Sequence, residues 1–145
     1  MSNTELCTIG YEGRSQEEFI GVLAENRVKQ VIDVRHITSS RKKGFSKNQL
    51  AEALLKSGIS YLSMRDLGTP DEVRRAYKAG GSVEKFESDY SKYLETQPGA
   101  LEELKRHLRE RRSAIMCYER DPHGCHRMVL ARMLEAEGFQ VNHLL

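Results

Sequence analysis

The chain has 145 residues, of which 39% are hydrophobic and 30% are charged, and its formal net charge is +2. This size and balance are typical of one soluble globular domain over residues 1–145. A net charge this small excludes a protein that attracts its partner through overall charge. Three cysteines make a poor disulfide framework, and no apolar stretch reaches the ~20 residues of a membrane span. We therefore expect a cytoplasmic protein that does not enter a membrane.

Five short apolar runs predict β-strands. They lie at Leu6–Gly10, Gln30–Val34, Ser60–Met64, Ala114–Tyr118 and Gln140–Leu144. The second run, "VIDV", is nearly continuous in branched apolar residues, which suits a strand covered on both faces of a parallel sheet. Because helical patterns separate the runs, we predict a three-layer, Rossmann-like α/β domain with a mainly parallel sheet of about five strands.

Three helix starts are marked by capping patterns. Ser15 begins "SQEE" with Glu18 three residues later, which is a capping box. Ser46 and Gln49 repeat the arrangement before the second helix. The segment "TPDE" predicts a third helix, for which Thr69 is the expected N-cap.

The interval between the third and fourth strands is the longest and carries only helical patterns. Helically spaced apolar residues mark these helices at Phe86, Tyr90, Tyr93 and Leu94, and again at Leu101, Leu104 and Leu108. We expect this helical insertion to form a lid or side wall over one end of the sheet. A last helix is predicted from about Cys125 to Glu137.

Polar segments follow four of the predicted strands. In chain order they are "GYEGRS", "RHITSSRKKGFSK", "RDLGTPDE" and "ERDPHGCHR". Open parallel sheets bind ligands beyond the carboxyl ends of their strands. We therefore expect these segments to gather at one edge of the sheet, and we expect Glu12, Arg41 and Arg127 to share one cleft there.

Several segments together resemble the domain of unknown function 488 family. They are "TIGYEGRS", "IDVRHITSSRKKGFSK", "GISY" with its following "LG", "CYERDPHGCHR" and "EGFQVNHL", and they occur in order over almost the whole chain. The resemblance implies a compact α/β domain and the location of a site, without implying an activity. One departure is visible, because a proline commonly follows the "DVR" segment in the family and "RHITSSR" stands here.

The segment "RHITSSRKKGFSK" carries five cations within thirteen residues. They are Arg35, Arg41, Lys42, Lys43 and Lys47. With Ser40 and a helix start beside them, these cations suit phosphate, and we expect Arg35, Ser40, Arg41 and Lys43 to bind an anion. Phe45 either stacks on a base or is buried in the core of a solvated basic loop.

The segment "CYERDPHGCHR" admits a thiol or a metal chemistry. A phosphatase loop needs an arginine six positions after its cysteine, but that position is His123 counted from Cys117 and Ala131 counted from Cys125. Zinc binding by Cys117, His123, Cys125 and His126 suits the residue types, but the spacing lacks a Cys-x-x-Cys pair. We expect no metal and no cofactor, with Cys117 in the core.

The third chemistry, acid–base catalysis, is the one we favour. Glu119 lies at the tip of the fourth strand, and Glu12, with Tyr11 beside it, follows the first. Paired carboxylates near a phosphate site suit N-glycosidic or phosphoester chemistry on a nucleotide or nucleic acid.

The remaining predicted roles concern anion binding and loop shape. We expect His126 and Arg127 to hold the anion at a helix start, and Gly10, Asp33 and Cys125 to shape the loops. The alternative role for Glu119 is a structural ion pair with Arg35 or Arg127. Two other functions remain open: a non-catalytic nucleotide- or nucleic-acid-binding module, and a thiol- or metal-dependent enzyme.

Overall fold

The computed structural model describes residues 4–122 and 125–145. The strands are β1 (Glu5–Gly10), β2 (Gln30–Asp33), β3 (Ser60–Ser63), β4 (Ser113–Cys117) and β5 (Gln140–Leu144). The helices are α1 (Gln16–Glu25), α2 (Lys47–Lys56), α3 (Asp71–Lys78), α4 (Val83–Glu95), α5 (Pro98–Glu110) and α6 (His126–Ala136), with a short 3-10 helix at Arg65–Leu67. Predicted and observed strands agree to within about one residue at each end.

The five strands form one sheet in the order β3-β2-β4-β1-β5, and every neighbouring pair is parallel. The register aligns Gly10 of β1 with Cys117 of β4, and Asp33 of β2 with Met116 of β4. The carboxyl ends of the three central strands therefore finish side by side. The predicted three-layer α/β fold with a parallel five-stranded sheet is confirmed.

Helices cover both faces of the sheet, and each face has its own core. Val31 faces the cluster formed with α1 and α2, which includes Phe19 and Leu50. Its neighbour Ile32 faces the cluster formed with α4, α5 and α6, which includes Tyr90. Burying one such apolar side chain contributes roughly 1.5–3 kcal/mol. Alternate residues of one strand thus hold the two helical layers in place.

The capping predictions have mixed outcomes. Ser15 and Glu18 form the predicted capping box of α1. Ser46 is the N-cap of α2, but its hydroxyl bonds the backbone of Ser40 instead of capping the helix. The prediction for Thr69 is wrong, because Pro70 is extended at ψ 150° and α3 begins one residue later.

Three helices, α3 to α5, stand between β3 and β4. Helix α4 packs against α3, α5 and α6, so it links the outermost helix, α3, to the body of the domain. No helix in residues 4–122 and 125–145 exceeds 13 residues, and none combines the length and apolarity needed to cross a membrane.

Candidate functional site

A cavity of about 320 Å³ opens at the carboxyl edge of the sheet. One wall is made by residues that follow β1 and β4, among them Tyr11 and Glu119. Helix α3 contributes Arg74, Tyr77 and Lys78 to the lining. The start of α6 closes the floor. The cavity therefore lies at the end of the sheet where strand topology places ligands in this type of fold.

Glu119 is exposed on the cavity wall, and the backbone that carries it is tightly constrained. A Cβ atom added to Gly10 would lie 1.7 Å from the Glu119 carbonyl oxygen. Only glycine therefore lets β1 end this close to the loop after β4. This contact is a physical basis for the loop-shaping role predicted for Gly10.

Arg127 supports the same loop from beneath. Its guanidinium is fully buried and donates hydrogen bonds to the Glu119 carbonyl, to the Arg120 carbonyl at 2.9 Å and to the Cys117 sulfur at 3.0 Å. Because these contacts direct the guanidinium at the backbone, Arg127 holds the loop in shape. It does not line the cavity as an anion ligand.

Asp33 and Arg35 form a buried ion pair beside the cavity. Arg35 donates from Nε and Nη2 to the Asp33 carboxylate, with a shortest distance of 2.7 Å. Its Nη1 donates to the Phe45 carbonyl at 2.7 Å and to the Tyr11 hydroxyl at 3.3 Å. Burial opposes the charge of Arg35, but the bonded carboxylate raises its pKa above the ordinary value. Arg35 touches the cavity, yet most of its donors are occupied by the protein.

Tyr61 adds a second donor to the Asp33 carboxylate. Burial and the negative charge of Asp33 raise the pKa of the Tyr61 hydroxyl above its ordinary value. The hydroxyl therefore stays protonated and donates. Asp33 is thereby tied to both β3 and the segment after β2, as expected for a residue that shapes a loop.

The basic segment after β2 begins at the cavity with Arg35, but its later cations do not line the cavity. Lys42 and Lys43 line an open groove of about 860 Å³ beside Arg14 and the start of α1. Arg41 is exposed and lies in neither the groove nor the cavity. The Ser40 hydroxyl accepts hydrogen bonds from the Lys42 backbone at 3.1 Å and from the Tyr11 hydroxyl at 3.4 Å.

Phe45 is fully buried, so it offers no surface to a base. Its ring stacks on Tyr11 at 4.5 Å between centroids, and it meets the edge of Phe19. Of the two interpretations considered for this side chain, the core position is the one observed.

The two predicted catalytic glutamates face different depressions. Glu12 lines a separate pocket with Arg120 and His143, and its carboxylate accepts a hydrogen bond from the Arg120 backbone at 3.2 Å. The prediction that Glu12, Arg41 and Arg127 share one cleft is therefore wrong. The strands meet at one edge as expected, but Glu12 lines a separate pocket and neither Arg41 nor Arg127 lines the cavity.

Two cysteines and a histidine meet on the floor of the cavity. The ligand atoms of Cys117, Cys125 and His126 all lie within 4.8 Å of one another. Burial raises the pKa of the Cys125 thiol, with a further contribution from Cys117, and burial lowers the pKa of His126. His123, the fourth member of the metal set considered from the sequence, lies outside the described residues.

Sequence reasoning missed the cationic wall of the cavity. Arg74, Tyr77 and Lys78 are spaced three and four residues apart in "VRRAYK", so they share one side of α3. That spacing was readable, and it marks a helix with cations along one face. What the spacing alone does not reveal is that α3 faces the strand ends.

The fold and the cavity place this protein among three-layer α/β domains that carry a concave site at the carboxyl edge of a parallel sheet. The family model described as "Domain of unknown function DUF488" matches residues 15–134. The chain therefore belongs to this uncharacterised family, as its sequence motifs indicated. Comparison with curated proteins and with solved structures gave no match.

Proposed function

We propose that the protein is an enzyme acting on a phosphate-bearing substrate, a nucleotide or nucleic acid, and most directly a nucleotide. The observation that carries the proposal is that one cavity is lined both by Glu119 and by the cations Arg74 and Lys78. Its volume of about 320 Å³ lies at the lower end of the range typical of small-molecule sites.

Arg74 and Lys78 are the proposed phosphate ligands. Arg74 is half-buried and is held by an ion pair with Asp71 at 2.7 Å, which fixes its guanidinium at the cavity wall. Guanidinium and ammonium groups form charge-assisted hydrogen bonds with phosphate oxygens. These two side chains replace Arg41 and Arg127 in the role of anion ligands.

Aromatic side chains beside the cations suit the base of a nucleotide. Tyr77 and Phe86 are stacked with ring centroids 4.9 Å apart, and the half-exposed Tyr118 lines the same cavity. A flat base gains about 1–3 kcal/mol from stacking on such a ring. One cavity thus combines surfaces that suit a base with cations that suit a phosphate.

Glu119 is the proposed acid–base residue. Glu119 lines the cavity from a loop whose backbone contacts Arg127 and Gly10. A carboxylate in this position can move a proton at the sugar or phosphoryl centre of a bound nucleotide. Tyr11, whose hydroxyl contacts Arg35 and Ser40, helps to position the wall.

Binding of the four nucleoside monophosphates tests the anion ligands by titration calorimetry. We expect the variant with Arg74→Ala and Lys78→Ala to bind about tenfold more weakly or worse, because charge-assisted hydrogen bonds are lost. Arg75→Ala is the matched control, since Arg75 is exposed on the same helix and lies outside the cavity. Equal affinity of the double variant and the control would contradict the assignment.

Turnover tests Glu119 separately. Released base or phosphate is measured by chromatography after incubation with each nucleotide that binds. Glu119→Gln should abolish release and preserve binding, because it removes the titrating group and keeps the shape of the side chain. Unchanged release would remove Glu119 from the reaction.

The second candidate function is a non-catalytic module that binds a nucleic-acid backbone. The observation that favours it is the groove of about 860 Å³ lined by Arg14, Lys42 and Lys43. A double substitution, Lys42→Ala with Lys43→Ala, should then weaken binding of a single-stranded oligonucleotide and flatten its dependence on salt. An unaltered salt slope would exclude this groove as the contact.

A further inference from the structure

We infer that Cys117, Cys125 and His126 form a binding site for one thiophilic divalent metal ion, with Zn²⁺ as the best match. The inference is independent of the nucleotide proposal, because it rests on three side chains and their neighbours alone. Two sulfur donors and one imidazole donor suit zinc and related transition metals, whereas Mg²⁺ and Ca²⁺ prefer oxygen ligands.

The donors are already close to the separations that zinc imposes. In a tetrahedral site the zinc–sulfur and zinc–nitrogen bond lengths place a sulfur and a nitrogen about 3.6 Å apart, and two sulfurs about 3.8 Å apart. Cys125 Sγ and His126 Nδ1 are separated by 3.8 Å. The two sulfurs and one ring nitrogen of His126 all lie within 4.8 Å of one another. Closure by no more than about 1 Å completes the geometry.

His126 presents the correct nitrogen. Its Nε2 lies 2.9 Å from the Val34 carbonyl oxygen, which can only accept a hydrogen bond. The proton is therefore on Nε2, and the lone pair of Nδ1 points toward Cys125. Histidines that bind metals commonly donate their second N–H to a backbone carbonyl in this way, because the bond fixes the orientation of the ring. The edge of the His126 ring also meets Tyr90, with 5.5 Å between centroids.

The sulfurs are held by rigid elements. Cys117 ends β4 in register with Gly10, and Cys125 is the N-cap of α6. Arg127 donates a hydrogen bond to Cys117 Sγ at 3.0 Å, an interaction that stabilises a thiolate. Each thiol gives up its proton when the metal binds, so the two thiolates balance the charge of a divalent ion.

The proposed metal site borders the cavity. All three ligands line it, as does Glu119. Within residues 4–122 and 125–145 the proposed site has these three ligands. In catalytic zinc sites with three protein ligands, water or substrate completes the tetrahedron.

Cobalt titration tests the site without reference to activity. The full chain is reduced, freed of metal with a chelator, and titrated with Co²⁺ while its absorption spectrum is recorded. We expect one equivalent to produce intense tetrahedral d–d bands and a near-ultraviolet sulfur-to-cobalt band. Addition of Zn²⁺ should then displace Co²⁺, so that both sets of bands disappear. The wild-type spectrum alone reports thiolate ligation, so the test stands even if a ligand variant folds poorly.

Variants identify the ligands. Cys125→Ala and His126→Ala should weaken Co²⁺ binding by about 100-fold or more, since even residues that only support a ligand contribute 10–100-fold. Cys7→Ala is the matched control, because Cys7 is buried on β1 in the core cluster that faces α1 and α2. Absence of stoichiometric binding, a weak octahedral spectrum, or wild-type affinity in Cys125→Ala would overturn the inference.

Discussion

The segments after β2 and after β4 leave the same edge of the sheet, and both are rich in charge. Each buries one arginine that was expected to bind an anion: Arg35 pairs with Asp33, and Arg127 bonds the backbone of its own loop. The β4 segment nevertheless leaves Glu119 on the cavity wall, whereas the β2 segment directs Lys42 and Lys43 into a separate groove.

The two segments differ in which of their side chains remain available to contact a ligand. A buried arginine that donates several hydrogen bonds within the protein supports the fold, because those donors are already used. Charge density in a sequence therefore does not by itself identify a site. Three substitutions follow from this contrast, and each is compared through the free energy of unfolding.

The largest effect is expected for Asp33→Asn. The substitution removes the charge that compensates Arg35, which is 6% exposed, and breaking one partner of a buried pair costs about 3–5 kcal/mol. Urea unfolding followed by circular dichroism measures the loss. Asp89→Asn is the control, because its pair with Lys85 is more exposed and should contribute about 1 kcal/mol or less. Similar losses in both variants would show that the buried pair is not what holds the β2 segment.

An intermediate effect is expected for Gly10→Ala. The new methyl group would lie 1.7 Å from the Glu119 carbonyl oxygen, so the loop after β4 must move. Overpacking of this kind costs about 1–3 kcal/mol. Gly21→Ala is the control, because a Cβ there meets nothing within 4 Å and α1 should gain from it. Equal stability of Gly10→Ala and the wild type would mean that the loop shifts freely, which would remove the rigid support proposed for Glu119.

The fold could be predicted from the sequence because its signals are local. The branched run "VIDV" and the other apolar runs fall at the observed strands, and the capping box at Ser15 begins α1 as predicted. The misplaced cap at Thr69 shows the limit of such signals. Thr69 is buried against the cavity wall, so tertiary packing and the extended conformation of Pro70 determine where α3 begins.

The site could be predicted only in part, because the direction of a side chain depends on contacts with residues that are distant in the sequence. Tyr11, Glu119, Cys125 and His126 were predicted from the strand ends, and all of them line the cavity. Glu12 is one residue from Tyr11 but faces the pocket beside His143 of β5. The order of the strands, which no sequence pattern revealed, determines which neighbour each loop meets.

The smallest effect is expected for Glu119→Gln, and here a small value is the informative result. Glu119 is exposed, and within the described part of the chain its carboxylate makes no hydrogen bond or ion pair of the kind that fixes Asp33. Substitutions at such positions usually change the free energy of unfolding by about 0.5 kcal/mol or less. Arg41→Ala should behave in the same way, since Arg41 is equally exposed. Glu119→Gln should lose turnover at unchanged stability, while Arg41→Ala should keep both turnover and stability. That result would assign the carboxylate to the reaction in the cavity. A loss above about 1 kcal/mol would instead identify Glu119 as a structural partner, and the β4 segment would then resemble the β2 segment in burying its charge for the fold.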